Sequence, residues 1–175
     1  MINEFSVSPK PQNNKAKVYS LLLFLTGALI IVISAGLDAY RGLVAVFALV
    51  PFTLAILIYT KYISQKFVYE IFVDTDGEPL FIVRQTAGAR SATLCRVALF
   101  TVESVEALSP VPKKDKNTER FVYCQTLFPK EVILIKLCGY RAKSEILIEG
   151  NSEFLNLLQS YSKEARESHK SDDGE

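Results

Sequence analysis

Two uncharged apolar stretches near the start of the chain decide its fold class. Residues 18–37 read VYSLLLFLTGALIIVISAGL, and residues 42–60 read GLVAVFALVPFTLAILIYT. A helix of about 20 residues is about 30 Å long, which matches the hydrocarbon core of a bilayer. Because only residues 38–41 separate the two stretches, we expect a helical hairpin that crosses a membrane twice.

Two other interpretations compete with a membrane hairpin. A cleaved signal peptide would explain the lysines before the first stretch and the small residues 34–36, but its apolar core is usually shorter, and here a second stretch follows at once. A buried helical hairpin of a soluble protein would need a polar face on each helix, and neither stretch has one. The sequence therefore favours the two-span hairpin.

Lysines precede the first apolar stretch at positions 10, 15 and 17 and follow the second at positions 61 and 66. The loop that connects the two stretches holds one aspartate and one arginine. The positive-inside rule then places both termini in the cytoplasm and the loop outside. We expect a multi-pass protein of the cell (plasma) membrane, with the lipid bilayer as its first partner.

Small residues at heptad spacing mark a contact between the two helices. They are Ser20, Gly27 and Ser34 on the first, and Ala48 and Ala55 on the second. Such residues let two helix backbones approach closely. The proline at position 51 is expected to interrupt the second helix.

The rest of the chain divides by composition. Residues 1–17 are polar and are predicted to be a flexible cytoplasmic tail, residues 61–166 a soluble domain, and residues 167–175 a disordered charged tail. Within the domain, runs rich in Val, Ile, Phe and Tyr alternate with turn signals and predict about seven antiparallel strands. These are residues 66–73, 79–86, 91–96, 98–108, 120–127, 131–138 and 142–149.

A C-terminal helix is predicted after the last strand. Asn151 is suited to cap its N-terminus. Phe154, Leu157, Leu158 and Tyr161 then follow the i, i+3, i+4, i+7 pattern of an apolar helix face. The soluble domain is therefore expected to be an α+β domain in which this helix packs on the strands.

Three segments carry a resemblance to a known family: Phe81-Ile82-Val83-Arg84, residues 97–108, and residues 146–154. With the hairpin, they resemble bacterial membrane proteins that have two N-terminal transmembrane helices followed by a cytoplasmic pleckstrin-homology-like (PH-like) domain. The resemblance implies a barrel of two near-orthogonal sheets with the C-terminal helix plugging one corner. It also implies binding of phosphoinositides, peptides or proteins, and the fold alone does not choose among these ligands.

Basic side chains are the candidate contacts to lipid or to a partner. Lys113, Lys114 and Lys116 lie in a predicted loop, residues 109–119. Arg84 lies on a predicted strand, and Arg90 lies directly before the neighbouring one. A lysine close to an anionic membrane surface contributes about 1 kcal/mol. A simply solvated loop is the alternative. The predicted turn of the first strand pair is acidic, which argues against headgroup binding there.

Composition and motifs argue against several classes of function. The chain has 20 basic and 19 acidic residues and a net charge of +1, so we expect no nucleic-acid partner. No nucleotide-binding, metalloprotease or hydrolase motif is present, and the single histidine, His169, falls in the charged tail. Three cysteines without a C-x-x-C pair predict neither a disulfide framework nor a zinc site. We therefore expect no enzyme activity, cofactor or metal.

Together these features predict a membrane-anchored, non-enzymatic binding or adaptor protein. Besides the bilayer, the expected partner is a cytoplasmic protein or a second copy of the chain. The alternative is an accessory subunit of a membrane transport or enzyme complex.

Overall fold

The computed structural model describes residues 5–8, 14–37, 40–74, 77–109, 111, 113–114, 118–129, 131–138 and 143–172. The chain divides into two compact units. The helical unit is Pro11–Gln65, and the sheet unit joins Met1–Lys10 to Lys66–Glu175. The sheet unit is therefore built from chain on both sides of the helical unit.

The helical unit contains the two predicted apolar helices. The first is α1, Asn14–Ala35, and the second consists of α2, Arg41–Phe47, α3, Leu49–Ile58, and a π-helix, Tyr59–Ser64. The break falls at Ala48 because Pro51 has no N–H to donate to the carbonyl of Phe47. The Ala48 N–H instead donates to the carbonyl of Ala45 at 3.1 Å.

Both apolar helices are long and apolar enough to cross a membrane. They are Asn14–Ala35 and Arg41–Ser64, and in each only 11% of the apolar window is buried in the structure. The core helix of a soluble protein is mostly buried, so this exposure sets both apart from such a helix. The first begins before the predicted residue 18, and residues 14–17 are therefore helical rather than part of a flexible tail.

The small residues do form the contact between the two helices. The Ser20 hydroxyl donates to the carbonyl of Ala55 at 3.1 Å. A Cβ atom at Gly27 would lie 3.0 Å from the ring of Phe52 on the facing helix. The absence of a side chain at Gly27 thus lets the aromatic ring pack directly on the α1 backbone.

A four-stranded antiparallel sheet, here sheet A, begins before the hairpin and resumes after it. Its strands are β1, Phe5–Val7, β2, Lys66–Val73, β3, Pro79–Ala87, and β4, Arg90–Ala98, in that spatial order. In β1, Phe5 pairs with Ile71 and Val7 with Tyr69. The prediction of a flexible tail was therefore wrong for residues 5–7, because Phe5 and Val7 pack against the core while Ser6 faces outward.

A second four-stranded sheet, sheet B, contains one parallel pair. Its strands are β5, Val102–Leu108, β6, Thr118–Tyr123, β7, Val132–Leu137, and β8, Lys143–Ile148, in the order β5-β7-β8-β6. Because β6 runs parallel to β8, the expectation of an all-antiparallel domain was wrong. The long predicted strand 98–108 is divided by a 3₁₀ turn, Leu99–Thr101, in which the Thr101 hydroxyl donates to the carbonyl of Ala98 at 2.7 Å.

The C-terminal helix α4, Ser152–Asp172, packs its apolar face into the core. The Asn151 side chain caps it as predicted, accepting a 2.9 Å bond from the Phe154 N–H. Phe154 and Leu158 are fully buried. The predicted disordered tail was wrong for residues 167–172, because the packed face continues through Ala165 to His169.

The two sheets do not close into a barrel. Among the described strands, every hydrogen-bonded pair lies within sheet A or within sheet B. The closed barrel implied by the resemblance is therefore not formed. The sheet unit is two four-stranded sheets with one helix, joined by a core that includes Phe81, Ile135 and Phe154.

Candidate functional site

Arg84, one of the basic residues singled out from the sequence, has an acidic partner on the outer face of sheet A. Its Nε lies 3.1 Å from Glu70 Oε2. On the same sheet, Arg96 Nη2 lies 2.6 Å from Asp74 Oδ2. Arg90 is exposed where β4 begins. The positive charge of Arg84 and Arg96 is thus offset locally, which weakens their attraction for an anionic ligand.

The two described lysines of the basic loop, Lys113 and Lys114, are exposed in the connection between β5 and β6. The carbonyl of Lys113 accepts a 3.2 Å bond from Arg120, whose guanidinium also binds Glu145 at 2.8 and 2.9 Å. Lys116 lies outside the described residues. Contact of this loop with lipid or with a partner stays a prediction.

A cavity of about 430 Å³ lies beside the C-terminal half of α4. Val73, Pro79 and Phe100 supply apolar walls, and Glu78, Glu164 and His169 are among its polar lining groups. Its size is within the range of small-ligand pockets. Two carboxylates on different elements beside an aromatic ring can hold a cationic group, such as a lysine or arginine side chain.

The sequence pattern did not predict this cavity, because His169 falls in a stretch of charged residues that was expected to be disordered. In the structure, the His169 and Phe100 rings meet edge to face with centroids 4.4 Å apart. The signal was present in the spacing, since Tyr161, Ala165 and His169 recur every fourth residue on one helix face. Because most residues around them are charged, this helix face was not recognised from the sequence. Among the described residues, no group of three His, Cys, Asp or Glu side chains could hold a metal ion.

A buried polar network joins sheet A to sheet B. The hydroxyl of Tyr69 donates to the carbonyl of Tyr123 at 2.5 Å and accepts from the Glu149 N–H at 3.3 Å. The Glu149 carboxylate in turn accepts bonds from the Thr126 N–H at 2.9 Å and from its hydroxyl at 3.1 Å. Burial raises the pKa of Tyr69 far above its ordinary value. The network fixes the two sheets relative to each other, and we assign it a structural role.

Comparison with known proteins does not supply a family. No family model, no curated protein and no solved structure matches this chain. Function is therefore inferred from the topology and chemistry of the molecule itself.

Proposed function

We propose that this protein is a membrane-anchored, non-enzymatic binding or adaptor protein, and that its sheet unit is a PH-like domain presented at the cytoplasmic face of the cell membrane. One observation carries the proposal. Strand β1 comes before both apolar helices, strand β2 comes after them, and the two strands pair in one sheet. The hairpin is thus inserted within the domain that it anchors.

This pairing limits the number of membrane crossings. Two hydrogen-bonded strands of a soluble sheet lie on the same side of a bilayer, so the chain between Val7 and Lys66 must cross it an even number of times. A single crossing would separate β1 from β2, and signal-peptide cleavage at residues 34–36 would remove β1. The sheet pairing therefore supports two crossings, in agreement with the two apolar helices.

Charge supports the cytoplasmic side. Lys15 and Lys17 are exposed at the start of α1, and Lys61 and Lys66 are exposed near the end of the second helix. The described residues near the opposite end of the hairpin include one basic residue, Arg41. Under the positive-inside rule, the end with the lysines faces the cytoplasm.

The layout of the sheet unit supports the PH-like assignment and a binding role. Two four-stranded sheets are followed by one C-terminal helix whose Phe154 and Leu158 enter the core. The resemblance implies the same two sheets and helix, but with the sheets closed into a barrel. The cavity beside α4, with Glu78 and Glu164 in its lining, offers a place for a basic side chain of a partner protein.

Cysteine labelling tests the topology directly. Cys138 is exposed in the sheet unit, and Tyr40, 69% exposed in the connection between the helices, is replaced by cysteine. We expect a membrane-impermeant maleimide to label the Tyr40→Cys position in intact cells, and Cys138 only after the cells are opened. Labelling of Cys138 in intact cells would place the sheet unit outside and overturn the cytoplasmic assignment.

Cross-linking tests the strand pairing on which the even number of crossings depends. Ser6 and Glu70 are directly opposite in sheet A, so their Cα atoms lie about 4.5–5.5 Å apart, within disulfide range. Mild oxidation of opened cells should join Ser6→Cys to Glu70→Cys. Arg96 lies in the same row, three strands away from Ser6, at about 14 Å. The Ser6→Cys and Arg96→Cys pair is therefore the matched control and should stay reduced.

A further inference from the structure

An apolar groove of about 450 Å³ lies in the helical unit, where α1 begins and the second helix ends. On α1, its lining includes Lys17, Leu21 and Phe24. On the second helix, it includes Ala55, Ile56 and Tyr59. Every residue that lines the groove belongs to the helical unit.

The groove follows from a small contact flanked by large side chains. Where the Ser20 hydroxyl reaches the carbonyl of Ala55 at 3.1 Å, the two helices approach closely. Leu21 and Ile56, both about 60% exposed, rise on either side of this contact. Phe24 is held edge to face against Phe52 with ring centroids 5.1 Å apart. The groove therefore has a fixed aromatic wall at one end and a lysine at the other.

The chemistry of the groove defines what fits it. In a bilayer, lipid acyl chains surround an exposed apolar groove. If the groove stays empty, the residues that line it lose dispersion contacts. From Lys17 to Phe24 the helix rises about 10 Å, which gives a path for an extended chain that ends beside one ammonium group. The ammonium of Lys17 at the end of this apolar groove complements a molecule with an anionic headgroup and an apolar tail.

We propose that this groove binds one anionic phospholipid, with an acyl chain between Leu21 and Ile56 and the headgroup beside Lys17. The proposal depends on the proposed function in one respect, since it requires the helices to span a bilayer. It depends neither on which side the sheet unit occupies nor on what that unit binds. A lysine near an anionic headgroup contributes about 1 kcal/mol, so we expect an anionic lipid to be preferred over a zwitterionic one about fivefold.

The chain contains no tryptophan, so one introduced tryptophan reports on the lipid beside it. The full chain carrying Leu21→Trp is reconstituted in phosphatidylcholine with a minor fraction of phosphatidylglycerol. Either lipid is supplied with brominated acyl chains, which quench tryptophan fluorescence on contact. Leu22→Trp is the matched control, because the next residue lies about 100° around the helix. Ile56→Trp and Leu57→Trp form a second pair on the other helix.

Charge variants identify the headgroup contact. Lys17→Gln should abolish the phosphatidylglycerol preference seen by Leu21→Trp, whereas Lys15→Gln should retain it, because residues two apart do not share a helix face. An equal preference at Leu22→Trp, or a preference unchanged by Lys17→Gln, would overturn the lipid site. If neither brominated lipid quenched any of the four tryptophans, the helices would lie outside the bilayer. That result would refute the proposed function as well.

Discussion

Replacing Tyr69 by phenylalanine removes one oxygen from the interior of the sheet unit and leaves the aromatic ring in place. The lost hydroxyl donates to the carbonyl of Tyr123 and accepts from the N–H of Glu149. A buried polar group left without its partner costs about 1–3 kcal/mol. At neutral pH we therefore expect Tyr69→Phe to lower the free energy of unfolding by about 2 kcal/mol.

The same substitution should change how stability depends on alkaline pH. Burial, the largest cause, raises the pKa of Tyr69, and the hydrogen bond with Glu149 opposes that shift. In the unfolded chain a tyrosine loses its proton near pH 10, while folded Tyr69 keeps it. Stability therefore falls as pH rises above about 10, by about 1.4 kcal/mol at pH 11. Tyr69→Phe has no phenol at this position and does not lose this stability. The difference in free energy of unfolding between the parent and the variant should therefore be about 1.4 kcal/mol smaller at pH 11 than at neutral pH.

The measurement is urea denaturation of the detergent-solubilised full chain, followed by far-UV circular dichroism at neutral pH and at pH 11. Burial also raises the pKa of Tyr123 and of Cys95, and both remain in the variant. Their contribution therefore largely cancels when the two proteins are compared at each pH. A deficit that stays constant from neutral pH to pH 11 would refute the burial of an un-ionised Tyr69, and no deficit at neutral pH would refute the network.

Two further substitutions test other contacts of the sheet unit with the same assay. A Cβ atom at Gly150 would lie 2.6 Å from Ile133 Cδ1, so Gly150→Ala should lower stability by about 1–3 kcal/mol. Adding Ile133→Val removes the clashing atom and should recover part of that loss, and purely additive effects would contradict the contact. Glu145→Gln should cost about 3 kcal/mol because it removes the negative charge that accepts two bonds from the largely buried guanidinium of Arg120. The control Glu106→Gln, in a pair 40% and 45% exposed, should cost under about 1 kcal/mol, and equal losses would contradict the burial argument.

Local patterns predicted the parts of the fold that depend on local chemistry. The apolar helices follow from composition and length, and the break near Pro51 follows from a missing N–H. The contact through Gly27 and Ala55 follows from the spacing of small residues, and the cap at Asn151 from a side-chain oxygen at the start of an apolar stripe. In each case one helix or one pair of neighbouring helices contains the whole cause.

The parts that were missed depend on partners distant in sequence. Strand β1 has three residues, and its identity as a strand comes from pairing with β2 on the other side of the hairpin. The parallel pairing of β6 with β8 likewise cannot be read from either strand alone, because both directions use the same alternation of side chains. The cavity at Phe100 and His169 is lined by a turn, a 3₁₀ segment and the end of a helix, which are far apart in the sequence. Contact of Lys113 and Lys114 with lipid or with a partner protein stays a prediction.

The insertion of the hairpin between β1 and β2 has a consequence for biosynthesis. The ribosome makes β1 before either apolar helix, and its pairing partner emerges only after both. In the proposed topology, failure of the second helix to integrate would leave β1 and β2 on opposite sides of the bilayer. Sheet A would then lack its edge strand, and the outer backbone groups of β2 would be open to aggregation. In the proposed topology, sheet A can therefore be completed only after both helices have been integrated into the membrane.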